Sequence, residues 1–289
     1  MDSQPTDWLG SLTLKAHVTL LRRLVAKAEG EPAVRFIELC CSVARGVGDE
    51  LSDLDLGLGL ADEVWPDALA AVGPMLADIG ERVDLLEHRI GAWGEVPHRR
   101  FFAQYRNGVQ IDLVAVPVSA RAGMPVGSIA LYDPDGRLQK TLASRLERAG
   151  AEDVREWAFL GWIALANLDK YLRRGSTWEA LEQLHEARTQ LWRLSAVASR
   201  AAYPAFGLTS VLDQSPSAIP AGLEQTIARL EKNGLRRPGM ALASLLERIS
   251  PSAAEAVGGA VPYAMAGLVS QRLAAGDAQS NGQSQPAPD

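Results

Sequence analysis

Residues 54–60 read Leu-Asp-Leu-Gly-Leu-Gly-Leu, with leucine at every even position. A strict period of two commits a segment to a β-strand with one face buried. Leu54, Leu56, Leu58 and Leu60 then form the core face, and Asp55, Gly57 and Gly59 form the other. Asp53 falls two residues before Asp55 and projects the same way. Two carboxylates side by side repel each other, and a bound divalent cation reverses that cost. Mg²⁺ suits such a pair, because it takes one or two carboxylates and completes its shell with water and substrate phosphates.

The flanking segments place this strand in a mixed α/β half. Residues 7–28 have helical spacing, with Trp8, Leu9, Leu12, Val18, Leu21, Leu24 and Val25 on one side. Ala33 to Cys40 reads as a buried strand, Ser42 to Gly46 as a short helix, and Val47 to Ser52 as a polar turn. A helix is expected over 64–79, with Pro66 in its first turn, and a strand over 83–90. Residues 100–105 and 109–116 flank Asn107-Gly108, a preferred type I′ pair, and predict a β-hairpin. Ile129 to Tyr132 gives a last strand, closed by the turn Asp133-Pro134-Asp135-Gly136. Beyond about residue 137 strands cease, and helices are expected near 137–149, 152–173, 177–201, 221–233, 238–249 and 252–274. The Gly/Ser/Gln/Pro-rich stretch from Gly276 to Asp289 reads as a disordered tail.

Length agrees with this division, since 289 residues amount to about two domains at roughly 150 residues each. The net charge of −6 argues against a nucleic-acid or anionic-membrane surface. No apolar run approaches the ~20 residues of a membrane span. The N-terminus lacks the basic and apolar regions of a secretory signal. Cys40 and Cys41 are adjacent, so a disulfide between them would be badly strained, and they read as reduced thiols. A cytoplasmic protein is therefore expected.

The hairpin supplies a third acid. Asp112 shares a strand face with Val114 and Val116, an apolar setting in which a carboxylate needs a partner. Were its strand to lie beside that of Asp53 and Asp55, three carboxylates would converge. They could hold two metal ions for in-line nucleotidyl displacement. Ser42 and Arg45, at a strand-to-helix turn, offer a hydroxyl and a guanidinium to phosphate, and Ser52 opens the Ser-Asp-Leu-Asp run.

Cys41-Ser42-Val43-Ala44-Arg45-Gly46 followed by Ser52-Asp53-Leu54-Asp55-Leu56 resembles the signature of the DNA polymerase β-like nucleotidyltransferase superfamily. That signature is Gly-Ser, a spacer of about ten residues often holding Ala-Arg-Gly, and Ser-Asp-x-Asp. Gln110-Ile111-Asp112-Leu113 resembles its third carboxylate. The likeness covers about residues 33–136. Within the superfamily, the size and the helical second half look most like bacterial aminoglycoside and lincosamide nucleotidyltransferases. The run from Trp157 to Arg193 is similar to their substrate-side helices.

The resemblance implies an α+β fold: a nucleotidyltransferase domain over 1–145, with a mixed β-sheet flanked by helices, then an all-helical substrate-binding bundle over 146–275 and a tail over 276–289. It implies an adenylyltransferase of the EC 2.7.7 type that is Mg²⁺-dependent with two ions. AMP would pass from ATP to a hydroxyl of a small molecule of the aminoglycoside or lincosamide kind. Asp53, Asp55 and Asp112 would be the catalytic metal ligands, and Ser42, Arg45 and Ser52 the nucleotide-binding residues. Antibiotic resistance is the role this class suggests. The family's glycine before the serine is Cys41 here, and a Cβ at that position obstructs close approach of backbone to phosphate.

The acceptor's proton requires a base: Asp112, or Glu152, Asp153 or Glu156 at the start of the first long C-terminal helix. The substrate is expected between the two halves. Two other readings stay open, a protein-modifying or antitoxin-like nucleotidyltransferase and a nucleotide-binding module that has lost turnover. His17, His88, His98 and His185 match no metal spacing and read as packing or surface residues. Trp157, Trp162, Trp178 and Trp192 read as core, and His98-Arg99-Arg100 as a solvated strand entrance.

Overall fold

The computed structural model describes residues 14–89, 98–142 and 149–282. The chain divides into two compact units, residues 1–144 and 145–289.

In the first unit, helix α1 (Lys15–Glu29) leads into strand β1 (Val34–Leu39), the short helix α2 (Cys41–Ala44) and strand β2 (Leu54–Leu60). Helix α3 (Trp65–Asp78), strand β3 (Arg82–Arg89) and the hairpin β4 (Arg99–Tyr105) and β5 (Gln110–Pro117) follow, and then β6 (Met124–Pro125), β7 (Ile129–Tyr132) and β8 (Thr141–Leu142). Six strands form one mixed sheet in the order β3-β4-β5-β2-β1-β7. Only the central β2–β5 pair is parallel; every other neighbour is antiparallel. The leucine face of β2 is buried, as its alternation requires. It shares a core with Ile37 and Leu39 of β1, Ile111 and Leu113 of β5, Leu21 and Leu24 of α1, and Val72 and Leu76 of α3. On the other face the glycines leave room for neighbours. A Cβ on Gly59 would meet the Phe36 ring at 2.1 Å, and one on Gly57 would meet the Glu38 carboxylate at 2.3 Å.

The hairpin turn differs from the expected type I′. Only Gly108 of the Asn107-Gly108 pair is left-handed, at φ +92°. The Gly108 amide donates to the Tyr105 carbonyl, and Tyr105 and Val109 close a three-residue loop. Arg106 and Asn107 thus make an ordinary turn and Gly108 the following left-handed step, a combination that suits the twist of the strands as well as type I′ does. The register shifts by one residue, so Asp112 faces Phe102.

The second unit is helical: α4 (Ala151–Arg174), α5 (Thr177–Ala198), the short α6 (Leu208–Leu212), α7 (Lys232–Val257) and α8 (Tyr263–Gly282). Trp162, Leu165, Leu184, Leu191, Leu242, Leu246 and Leu273 are fully buried in one core. Asp169, also fully buried, ion-pairs with Arg173 at 2.8 Å, Arg236 at 2.9 Å and Arg272 at 3.8 Å, which ties α4 to α7 and α8. Among the described residues, no helix is long and apolar enough to cross a membrane.

Several expected elements differ. Thr141–Leu142 is a strand paired with β6, where a helix over 137–149 was expected; residues 143–148 lie outside the description. Where a helix over 221–233 is expected, there is a single turn of 3₁₀ helix at Leu223–Thr226, because Pro220 and Gly222 favour a turn, and α7 begins only at Lys232. The helix expected over 238–249 runs on through Pro251 to Val257 as α7, and the one expected over 252–274 breaks at Gly258, its later part being α8. Burial of Leu242, Leu245 and Leu246 before the proline and Ala253 and Ala254 after it outweighs one lost backbone hydrogen bond. Helix α8 continues through Gly276 to Gly282, into the expected tail. Trp178, expected in the core, is 70% exposed. Trp8, Leu9 and Leu12 lie outside the described residues.

Candidate active site

Sheet register sets the site. Asp55 is the cross-strand partner of Asp112 on the parallel neighbour, and Asp112 is in turn the partner of Phe102, and Phe102 of Leu86. Directly opposed residues share a face, so Leu86, Phe102, Asp112 and Asp55 form one row across four strands. Arg100, Val114, Gly57 and Glu38 form the next row by the same registers. Asp53 is exposed just before β2, on the side of Asp55.

Asp55 is largely buried. Burial, followed by the charge of Asp53 and more weakly that of Asp112, pushes its carboxyl up to about 6, against a hydrogen bond from the Cys41 thiol that holds it down. Asp112 is held on both oxygens by Arg100, with Nε donating at 2.6 Å and Nη2 to the second oxygen. The guanidinium also lies 4.3 Å above the Phe102 ring. Arg100, which the sequence marks only as part of a solvated strand entrance, thus stands on the face of the carboxylates, one row from Asp112 and bonded to it. Its parity with Asp112 depends on the turn, which a type I′ reading sets wrongly by one.

Cys41, in the family's glycine position, is left-handed at φ +58°, a conformation that an L side chain adopts at a cost of about 1–2 kcal/mol. Burial and the Asp55 charge push its thiol up, so it stays protonated and donates to Asp55. Cys40 is raised to about 12 by burial and by Glu38, and it accepts from the Ser128 hydroxyl at 3.4 Å. Both cysteines are free thiols, as expected.

The proposed phosphate residues divide. Ser42 and Arg45 sit on and just after α2, at the β1 side of Asp55, and the Arg45 stem lies against Gly127. Ser52 is engaged locally: its hydroxyl accepts the Asp49 amide at 2.9 Å and donates to the Asp49 carboxylate. Its carbonyl is 2.7 Å from Nε2 of His17, a buried residue of α1 that pins the loop entering β2. Asp153 caps α4 by accepting from the Gly150 amide at 2.7 Å.

For a divalent cation the donor set is short. Among the described residues no three His, Cys, Asp or Glu side chains form a metal-holding group. Arg100 is bonded to Asp112 and acts on Asp55 and Asp53 only through space, and among the described residues neither of these two carboxylates has a direct salt bridge. That leaves two adjacent carboxylates whose mutual repulsion the Cys41 thiol and the Arg100 charge offset only in part, a pair of hard oxygen donors that fits Mg²⁺. A cavity of about 330 Å³ beside Val34, Leu60 and Val72 lies at the other end of β2 and contains none of these residues.

No protein-family profile and no curated protein matches this chain. Among solved structures it is similar, at 13% identity in each case, to an aminoglycoside 6-adenyltransferase from Bacillus subtilis (94% of this chain and 98% of that one, TM-score 0.42) and to a nucleotidyltransferase-like protein from Exiguobacterium sibiricum (82% and 77%, TM-score 0.36).

Proposed function

We propose that this chain is a nucleotidyltransferase that moves a nucleoside monophosphate, AMP from ATP in the first instance, onto a hydroxyl of a small acceptor. The observation that carries this reading is the row of Asp55 and Asp112 on adjacent parallel strands, with Asp53 beside it. The Ser-Asp-Leu-Asp motif that produces the row is the one the superfamily uses.

In this reading Asp53 and Asp55 hold Mg²⁺, which when bound supplies charge neutralisation at the phosphates. Ser42 and Arg45 bind the triphosphate from the β1 side. Asp112, kept in place by Arg100, orients the acceptor hydroxyl and accepts its proton. A bond forms between the acceptor oxygen and the α-phosphorus as the bond to pyrophosphate breaks, and pyrophosphate leaves on the side of Ser42 and Arg45. Two ions, as in the superfamily, would require Arg100 to release Asp112. Antibiotic acceptors belong to the same proposal.

The test is pyrophosphate release from ATP and Mg²⁺ over a panel of hydroxyl compounds. Asp53→Asn and Asp55→Asn are each expected to lower release at least about 10³-fold with the fold intact. Full activity in either variant would rule the reading out. The thiol of Cys41 on Asp55 favours one alternative, a module that binds nucleotide without turnover. Calorimetric binding of ATP with no pyrophosphate released from any acceptor would support that alternative.

A further inference from the structure

We infer that the acceptor site is built for a molecule with a flat apolar face and at most one positive charge, seated on Phe102 and Leu86. This rests on the transfer reading above and narrows its substrate class.

In-line displacement places the acceptor opposite the leaving pyrophosphate. With the triphosphate on the β1 side of Asp55, the acceptor must approach across Asp112, and the sheet continues there into Phe102 and Leu86. Neighbouring strands are about 4.8 Å apart, so Phe102 lies one strand beyond Asp112 and Leu86 one further. Both are open, at 37% and 57% exposure, although their chain neighbours Phe101 and Leu85 face the core. Two large apolar side chains in direct register beside paired carboxylates make a platform for a ring.

The charges on this side disfavour a polycation. Arg100 takes both oxygens of Asp112 and lays its guanidinium over Phe102, so the acid nearest the platform is already neutralised and offers no counter-charge to an ammonium group. Asp53 and Asp55 are committed to the metal. Among the described residues the remaining acid beside the platform is Asp84, one row away, whose Oδ1 is engaged by the Leu85 amide, which leaves one exposed carboxylate oxygen to suit one amine.

The experiment compares a nonionic aryl glycoside, p-nitrophenyl glucoside, with kanamycin, a polycation with many hydroxyls. Binding is followed by saturation-transfer NMR and transfer by pyrophosphate release with ATP and Mg²⁺. Wild type is expected to bind the aryl glycoside, with strongest saturation on its ring protons, and to bind kanamycin at least about tenfold more weakly. Phe102→Ala should weaken aryl-glycoside binding about tenfold, and the KM for ATP should stay within about twofold. Leu86→Glu, at an exposed position where the fold is unaffected, should weaken the aryl glycoside and improve kanamycin. Preference for kanamycin, failure of the aryl glycoside to bind, indifference of both variants, or a rise in the KM for ATP would each overturn the inference. Aryl-glycoside binding that is sensitive to Phe102 but accompanied by no pyrophosphate release would uphold the platform and sink the transfer reading. Transfer to kanamycin undisturbed in Phe102→Ala would do the reverse.

Discussion

Burial and the neighbouring charges raise the Asp55 carboxyl from 3.8 to about 6, so the ionised form is penalised in the folded, metal-free protein. A raised acid binds its proton more tightly folded than unfolded. Its contribution is therefore fully present below about pH 4 and is lost as pH rises through about 6. The loss is on the order of 3 kcal/mol. Melting in chelator is expected to be higher at pH 5 than at pH 7, with Mg²⁺ at pH 7 recovering the difference. Asp55→Asn should flatten this dependence and stabilise the metal-free protein at pH 7 while abolishing transfer. An unchanged pH slope in the variant would contradict it. Cys41 makes a second prediction at the same scale. Glycine there removes left-handed strain and frees Asp55 of the thiol, whereas alanine keeps the strain. In urea denaturation Cys41→Gly should exceed Cys41→Ala in stability by about 0.5–1 kcal/mol. The sequence marks Cys41 as a departure from the family's pattern, but not its left-handed φ or its hydrogen bond to Asp55, because both depend on how the chain turns out of β1.

The β2 strand was legible because its alternation has one solution, and its neighbours β1 and β5 read as strands for similar reasons. What the alternation also encodes is space: Gly57 and Gly59 let Glu38 and Phe36 lie across the strand. Gly59→Ala should cost about 1–3 kcal/mol in unfolding free energy, since the added methyl meets a fully buried ring. A stability within about 0.5 kcal/mol of wild type would mean that the ring moves freely. Elements bounded by proline were less legible. Helix α7 passes through Pro251 because tertiary burial on both sides outweighs a local penalty, and no local pattern reports that burial. The pairing of Thr141–Leu142 with β6 depends on partners seventeen residues back, Met124 and Pro125, which periodicity does not see.

At the scale of the molecule, each unit has its own apolar core, and in the second the buried Asp169 is an ionic tie among three helices. Asp169→Asn leaves Arg236, itself 5% exposed, without its charge partner. The expected cost is about 3–5 kcal/mol. By hydrogen exchange the loss of protection should fall on α4, α7 and α8 and spare the six-stranded sheet; equal loss in both would show that the two units unfold together. The sequence revealed the helical character of this half from its spacing, but not the tie, because its three arginines look like ordinary surface charge. The hairpin bears on the whole chain in another way. Its loop holds three residues, an odd number, and that parity selects which side chains of β4 accompany Asp112. With two, Phe101 and Ala103 would stand there and Arg100 would turn to the core. The charge balance beside the carboxylates is thus a matter of counting in a distant turn, and an insertion or deletion of one residue would invert it with every strand residue unchanged. Any alignment of this chain with another must match loop length before it matches side chains.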